Sequence, residues 1–219
     1  MKILQVSPYS WSARGGVQAD IRQLSQALAR RGHQVRILSP DHRTGRRAVT
    51  VDLPTAGVPP GAVTLTTFGP CRRIPFNGSH APVCVRFSAA GLARAALAAF
   101  QPDRVHVHEP LVPSASLGAA WYSEAPVVAT FHTYCPPSIG RLVYGTMAWV
   151  LKRSLRRLAA RIAVSDAAAS CSAANLPGPF VIIPNGVDIE RFARVTAPRD
   201  GRTLLFVNRL DARKGFDVA

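Results

Sequence analysis

In two segments of this chain, residue types that bind anions or exchange protons occupy positions suited to that chemistry. His132 directly follows the apolar run 127–131, which predicts a histidine at the end of a strand. Such a residue could contact a ligand, and a structural histidine is the alternative. Gly15 and Gly16 precede a helical pattern, where free N–H groups and the helix dipole favour a phosphate. A diglycine turn that serves only packing fits equally, and the spacing is not the G-x-G-x-x-G of dinucleotide sites.

Two cations and two strand-end polar residues add to these candidates. Arg209 and Lys214 flank a loop that follows the apolar run 203–207. Paired cations at such a loop suit a pyrophosphate, whose negative charge grows as it leaves, although two solvated surface charges fit the same pattern. His108 and Glu109 end another apolar run, so either could reach the same crevice. Glu109 is a candidate polar anchor, and no second carboxylate has the spacing of paired acid–base catalysis.

The segments between these residues alternate between strand and helix patterns. Apolar runs predict strands at residues 2–6, 35–38, 104–108, 127–131, 162–164 and 181–183. Apolar spacing and end signals predict helices from Gly16 to Gly32 and over residues 89–100, 113–122, 142–161 and 167–175. This alternation predicts an α/β fold with a Rossmann-like, doubly wound parallel sheet. Residues 43–87, rich in Gly, Pro and Thr, are expected to form an excursion of short strands and loops.

The candidate residues should meet at one edge of that sheet. In open α/β sheets the ligand crevice lies beyond the carboxyl ends of the strands, which selects residues 7–18, 108–114, 132–141 and 184–188. Further along, a polar stretch with Pro198 and Gly201 predicts a linker. We therefore expect a first domain over residues 1–195. Residues 196–219 would hold a linker and the first strand, 203–207, of a second domain truncated in this sequence.

Composition narrows the class of protein. With 47% hydrophobic residues the chain can bury a core, and it has no apolar run of about 18 residues that would predict a membrane span. Cys71, Cys84, Cys135 and Cys171 lack metal-ligand spacing, which favours four reduced thiols in a cytoplasmic protein. The net charge of +15 attracts phosphorylated substrates, anionic lipid or nucleic acid. No basic–aromatic recognition motif accompanies the arginines, so no specific nucleic-acid partner is expected.

Nine short segments, in order along the chain, resemble one enzyme family. They are Val6 to Ser10, Gly15 to Gln18, Gly32-His33, Pro75 to Ser79, Val107 to Pro110, Val128 to Thr133, Arg161 to Ser165, Ile183 to Asp188, and Arg209 with Arg213 to Gly215. On these residues the chain resembles the retaining, nucleotide-sugar-dependent glycosyltransferases of family 4, which have the GT-B architecture of two Rossmann-like domains. Among them it is most similar to bacterial phosphatidylinositol mannosyltransferases, which use GDP-mannose.

The resemblance implies a role for each matching residue. His132, Arg209 and Lys214 would be catalytic, with His132 near the anomeric centre and the two cations on the leaving diphosphate in place of a metal ion. Donor-binding residues would be Gly15, Gly16, Arg209 and Lys214, and acceptor-binding residues would be Tyr9, Gln18, Asn77 and Ser79. No metal and no cofactor are expected.

The resemblance also implies a reaction and its partners. A hexosyl group, mannosyl by the nearest resemblance, would pass with retention from GDP-mannose or a UDP-sugar to a lipid or small polyol. The protein would work in the bacterial cytoplasm, with a peripheral contact at the inner face of the plasma membrane. The basic face of the predicted helix 142–161 is either such a contact or a solvated surface. Family members bind the nucleotide mainly through the second domain, so a non-catalytic remnant that keeps only acceptor or anion binding is the alternative function.

Overall fold

A computed structural model has a mostly parallel sheet with helices on both faces. It describes residues 1–13, 15–45, 47–76, 79–84, 87–134, 155–156, 158–173, 176, 178–193, 201–208 and 214–215. The strands are β1 Lys2–Val6, β2 Gln34–Pro40, β3 Val49–Asp52, β4 Val63–Phe68, β5 Arg72–Phe76, β6 Ser79–Val83, β7 Arg104–His108, β8 Val127–Phe131, β9 Leu158–Ala163 and β10 Val181–Ile182. The helices are α1 Gly16–Arg30, α2 Phe87–Phe100, α3 Ala115–Tyr122, α4 Asp166–Ala173 and α5 Ile189–Ala193.

The strand order locates the point where a ligand crevice is expected. Eight strands form the main sheet in the order β10-β9-β8-β7-β1-β2-β4-β3, and β5 pairs with β6 separately. Every neighbouring pair of the main sheet is parallel except β3 and β4. The chain runs outward from β1 through β2 to β4, and then returns to β7 and runs outward in the other direction. The order therefore reverses between β1 and β7, which confirms the doubly wound prediction.

Both faces of the sheet are covered, because successive side chains of a strand point to opposite sides. Ile37 of β2 belongs to the apolar cluster under α1, together with Ile21 of that helix. The next residue, Leu38, belongs to the larger cluster on the other face, which includes Ala93 of α2 and Ala119 of α3. Each of these five residues is at most 1% exposed. None of the described helices is long and apolar enough to cross a membrane.

Glycine fixes the end of α1 and the contact between α2 and α3. Gly32 follows the end of α1 with a φ of +79°, the left-handed conformation that commonly ends a helix, as predicted. Gly118 lies in α3, where an added Cβ would come 2.6 Å from the Cα of Ala90 in α2. The two helices approach this closely because position 118 has no side chain.

Part of the segment 43–87 joins the main sheet. β4 pairs in parallel with β2 from Val35↔Val63 to Pro40↔Phe68, and β3 pairs with β4 in the antiparallel direction. The short strands predicted for this segment are present, but β3 and β4 belong to the main sheet and not to an excursion outside it. Val63, Leu65 and Phe68 are buried, so β4 offers an apolar set that the sheet and its helices can cover.

The predicted helix 142–161 is wrong at its end. Residues 135–154 lie outside the described part of the chain, but residues 158–161 belong to β9, which pairs in parallel with β8. The four residues Leu-Ala-Ala-Arg are good helix formers in isolation. Pairing with β8 outweighs that preference, so the strand predicted at 162–164 begins at Leu158 instead.

The predicted strand 203–207 does not form. Residues 203–208 pair with no described strand, and Leu204 and Leu205 are 98% and 86% exposed. A strand is held by hydrogen bonds to a neighbouring strand, so an apolar run without one stays irregular. The sequence patterns also do not predict α5. The division into residues 1–195 and 196–219 stays a prediction.

Among the described cysteines, one differs from expectation. Cys171 is disulfide-bonded, so the prediction of four reduced thiols is wrong. Cys71 and Cys84 are thiols. Spacing along the chain does not report which cysteines a fold brings within bonding distance.

Candidate active site

Three histidines form a stacked series at the switch point between β1 and β7. His106 and His108 alternate along β7, and His132 follows the end of β8, which pairs with β7. Ring centroids are 4.4 Å apart between His106 and His108 and 5.2 Å apart between His108 and His132. The prediction that His132 follows a strand and lies at the carboxyl edge of the sheet is therefore confirmed.

Four side chains form a continuous hydrogen-bonded row from α1 to His132, which we call the polar row. Gln5 Nε2 donates to Ser25 Oγ at 2.9 Å, and Gln5 Oε1 lies 3.2 Å from His108 Nε2. His108 Nδ1 lies 2.9 Å from His132 Nε2. Ser25, Gln5 and His108 are fully buried. At the end of the row, His132 Nδ1 is buried and no described group meets it at hydrogen-bond distance and angle, although the Asn185 side chain lies near enough to affect the pKa of the ring.

Glu109 holds the backbone of His132 in place. It is 3% exposed and has a φ of +48°, and its Oε1 accepts a hydrogen bond from the His132 N–H at 2.7 Å. Burial raises the pKa of the carboxyl group, while hydrogen bonds from Thr133 and His132 act in the opposite direction. Glu109, predicted as a polar anchor, thus binds the protein's own backbone and holds His132, the histidine that follows β8.

Burial keeps the three imidazoles neutral near pH 7. It lowers the pKa of His106 to about 4, and repulsion from His132 adds to that shift. The pKa of His108 is lowered well below its usual value by burial and by its two histidine neighbours. Burial also lowers the pKa of His132 to about 4, although the nearby Asn185 side chain partly opposes the shift. Neutral rings can donate or accept hydrogen bonds without adding positive charge to the site.

Asp20 is a site residue that the sequence patterns do not reveal. Its carboxylate lies near His108 and His132, and one ligand atom from each of the three lies within 4.8 Å of the others. Burial raises the pKa of Asp20, and the Gly186 N–H partly offsets this by hydrogen bonding to the carboxylate. These three groups are the ones in the described structure that could hold a metal ion. The polar row already satisfies the His108 and His132 nitrogens that face each other.

The predicted donor-binding glycines begin α1. Gly15 is the N-cap, in an extended conformation with no side chain to cap the helix. A Cβ on Gly15 would come 2.6 Å from Oε1 of Gln18, whereas a Cβ on Gly16 would meet nothing within 4 Å. Packing therefore restricts Gly15, and Gly16 faces open space. Lys214 is half-buried and Arg209 lies outside the described residues, so the donor and catalytic roles of these residues stay predictions.

Two of the predicted acceptor-binding segments lie next to each other. Tyr9 forms an isolated antiparallel bridge with Val83 of β6, the strand that begins at Ser79. Gln18 is buried, and its Nε2 donates to the Ser10 carbonyl oxygen at 2.9 Å, so its amide holds the loop after β1 against α1. Asn77 lies outside the described residues. Acceptor binding by these four residues stays a prediction.

A cavity of about 970 Å³ opens between α1 and the sheet. Leu24 of α1 and His106 and Thr130 of the sheet line it, and it extends to Asn185 and Gly186. Asp20 lies at the same end of the cavity. A space of this size with an apolar wall and a few polar groups is typical of a small-molecule site.

Known proteins are similar to this chain in sequence and in fold. The chain is 36% identical over 225 residues to the phosphatidyl-myo-inositol mannosyltransferase of Mycobacterium tuberculosis, covering 100% of this chain and 54% of that protein. For the phosphatidyl-myo-inositol mannosyltransferase of Mycolicibacterium smegmatis the identity is 37%, with 100% and 53% covered. The chain thus spans about half the length of these relatives. Sucrose-phosphate synthase from Thermosynechococcus elongatus has the same fold, with a TM-score of 0.57 at 14% identity over 87% of this chain and 49% of that one.

The match to a family model extends over the candidate site. The model described as Glycosyltransferase Family 4 matches residues 14–191, which include α1, the ends of β7 and β8, and His132. The resemblance seen in the short motifs is confirmed, as is the GT-B-like α/β fold. The chain belongs to glycosyltransferase family 4.

Proposed function

We propose that this chain forms the acceptor-side half of a retaining glycosyltransferase. The enzyme would transfer a hexosyl group, by resemblance mannosyl, from GDP-mannose or a UDP-sugar to a lipid or small polyol. The observation that carries this proposal is His132, a neutral, largely buried histidine at the switch point with one ring nitrogen lacking a partner among the described residues. The identity of 36–37% to mannosyltransferases along the whole chain supports the choice of reaction.

In this reaction a neutral histidine and a group of cations would have separate roles. His132 would hydrogen-bond a hydroxyl of the transferring sugar, and a neutral ring does this without repelling the positive charge that develops at the anomeric carbon. Arg209, Lys214 and the start of α1 at Gly15 and Gly16 would bind the donor diphosphate and stabilise it as it leaves. The proposal needs no metal and no cofactor.

The anomeric configuration is retained because the acceptor attacks the face from which the leaving group departs. The bond from the anomeric carbon to the diphosphate oxygen breaks, and the bond to the acceptor oxygen forms on the same face. The departing phosphate takes the proton of the acceptor hydroxyl, so charge and protons balance. Tyr9, Gln18, Asn77 and Ser79 would hold the acceptor. The net charge of +15 supports a peripheral contact with anionic lipid at the inner face of the plasma membrane.

The test is sugar transfer by the 219-residue chain and by the full product of its reading frame, with GDP-mannose and UDP-glucose as donors. In the active form, His132→Ala and Lys214→Ala should each lower the transfer rate about 100-fold, or about 2.7 kcal/mol in activation free energy. Arg31→Ala is the matched control for Lys214, because Arg31 is exposed at the C-terminal end of α1, far from Gly15 and Gly16. Unchanged rates in both site variants would refute the assigned roles.

A non-catalytic binding module is the second candidate, because the chain spans about half the length of its relatives. In that case the chain alone should bind an acceptor analogue such as myo-inositol phosphate and show no transfer. Thermal unfolding with micromolar GDP-mannose separates the candidates further. A large stabilisation of the 219-residue chain by the donor would contradict our assignment of donor binding mainly to a second domain.

A further inference from the structure

The hydrogen bonds of the polar row run from donor to acceptor in one direction. Gln5 and Ser25, at the buried end of the row, set that direction. The Gln5 amide nitrogen donates to Ser25 Oγ, so the amide oxygen faces His108. A carbonyl oxygen can only accept, and His108 Nε2 must therefore carry a hydrogen. Turning the Gln5 amide over would reverse every donor and acceptor in the row.

The direction passes from His108 to His132. A neutral imidazole carries one hydrogen, so an Nε2–H on His108 leaves its Nδ1 as a bare acceptor. The facing atom, His132 Nε2, lies 2.9 Å away and must donate. A hydrogen bond between two ring nitrogens needs one of them to be bare, and a neutral His132 ring that donates from Nε2 has no hydrogen left for its Nδ1. His132 Nδ1, the nitrogen at the end of the row, therefore carries a lone pair and no hydrogen.

A backbone contact with Glu109 and a ring contact with His108 together hold His132. The His132 N–H donates to Glu109 Oε1 at 2.7 Å, while the ring is held through Nε2 by His108. The histidine is thus held at two points, and Nδ1 is the ring atom without a partner among the described residues.

We propose that Gln5 and His108 are positioning residues that hold His132 in its Nε2–H tautomer and present Nδ1 as an acceptor for a ligand hydroxyl group. The tautomer follows from the polar row alone. The role toward a hydroxyl, such as one on a sugar or polyol, rests on the proposed function.

The tautomer can be measured by NMR without any activity. Long-range ¹⁵N–¹H correlation spectra of the ¹⁵N-labelled 219-residue chain distinguish protonated from bare ring nitrogens. The chain has six histidines, and loss of one set of peaks in His132→Gln assigns that residue. At pH 7 we expect Nε2 of His132 to be protonated and Nδ1 to be bare.

Gln5→Met tests the cause, because methionine has a similar size and no amide oxygen to accept from His108. We expect the two nitrogen shifts of His132 to move toward each other as both tautomers become populated. Thr130→Val is the matched control, since Thr130 Oγ1 contacts His106 on the same face, outside the polar row. It should leave the His132 pattern unchanged. In an active form, Gln5→Met should lower the transfer rate on the order of 10-fold.

Several results would overturn the proposal. A protonated Nδ1 on His132 in the wild type would mean that the row runs the other way. An unchanged His132 pattern in folded Gln5→Met would remove the positioning role, and a pattern that changes on adding EDTA would mean that a metal ion takes the place of the His108–His132 hydrogen bond. If Gln5→Met does not fold, Ser25→Ala decides, because it removes the hydroxyl that accepts from the Gln5 amide, so the amide can turn over and both His132 tautomers should become populated. The expected pattern without any sugar transfer would refute the proposed function alone.

Discussion

Replacing His106 by glutamine is expected to make folding less sensitive to acid. The ring is half-buried on β7, where it lines the cavity beside α1, and desolvation and the neighbouring His132 lower its pKa to about 4. Its Nε2 lies 2.7 Å from Thr130 Oγ1. Glutamine can place an amide group near the position of that nitrogen, so the variant removes the titrating ring and can keep the hydrogen bond.

The sign and size of the effect follow from proton linkage. The unfolded ring binds a proton near its ordinary pKa of 6.5, and the folded ring binds one only near pH 4. Between these values the unfolded state binds more protons, so the free energy of unfolding falls as the pH falls. From pH 7 to pH 5, one ring with this full shift removes at most about 2 kcal/mol, and contact of the half-buried ring with water lowers that figure. That is a large share of a typical stability of about 5–15 kcal/mol.

Urea unfolding at pH 7 and pH 5, at one ionic strength, measures this loss in the wild type and in His106→Gln. The raised pKa values of Asp20 and Glu109 act in the opposite direction. Both groups are present in both proteins, so their contributions largely cancel when the two pH-dependent losses are subtracted. The wild type should lose more than the variant, by up to about 2 kcal/mol. Thr130→Val keeps the titrating ring but removes its hydrogen bond, so this variant should still lose more stability than His106→Gln.

Equal losses in the wild type and His106→Gln would refute the reasoning, provided that both proteins unfold in two states. The same result would mean that the ring is reached by water or already protonated in the folded protein. The assignment of a neutral His106 to the stacked series at the switch point would then be wrong.

Two further pairs of substitutions test the contact between α2 and α3 and the hydrogen bond of Glu109. Gly118→Ala should lower stability by about 1–3 kcal/mol in thermal unfolding, because its Cβ would come 2.6 Å from the Cα of Ala90. Gly91→Ala in α2 is the matched control, since its Cβ meets nothing within 4 Å, and it should raise stability by about 0.5–1 kcal/mol; similar effects at both positions would contradict the close α2–α3 contact. Glu109→Ala should cost about 1–3 kcal/mol by leaving the His132 N–H unpaired. Glu109→Gln, which keeps an acceptor oxygen, should cost less, and equal costs would argue against the hydrogen bond.

Local patterns predict much of the fold and the position of His132, because the relevant signals lie within a few residues. The apolar run before His132 is a strand, and Gly32 ends α1 as its backbone freedom suggests. The same patterns fail where distant pairing decides. Leu-Ala-Ala-Arg at 158–161 has helix-forming side chains but is recruited by β8, and the apolar residues 203–207 have no described strand to pair with.

The site is less predictable than the sheet, because its contacts join residues far apart in sequence. Gln5 and His108 are 103 positions apart, and nothing near either one indicates that they bond to each other. Asp20 follows Gly16 by four residues on α1, yet which face of the helix meets the histidines depends on how α1 packs. The disulfide at Cys171 is hidden for the same reason.

The exposed run 203–207 affects how the protein behaves in solution. Its five residues, Thr-Leu-Leu-Phe-Val, are uncharged and favour extended structure, and Leu204, Leu205 and Val207 are each at least 78% exposed. Segments of this kind associate between molecules by strand pairing. The net charge of +15 opposes such association by repulsion, which salt screens over about 10 Å at 0.1 M. Concentrated samples of this chain should therefore stay dispersed at low ionic strength and aggregate as salt is added.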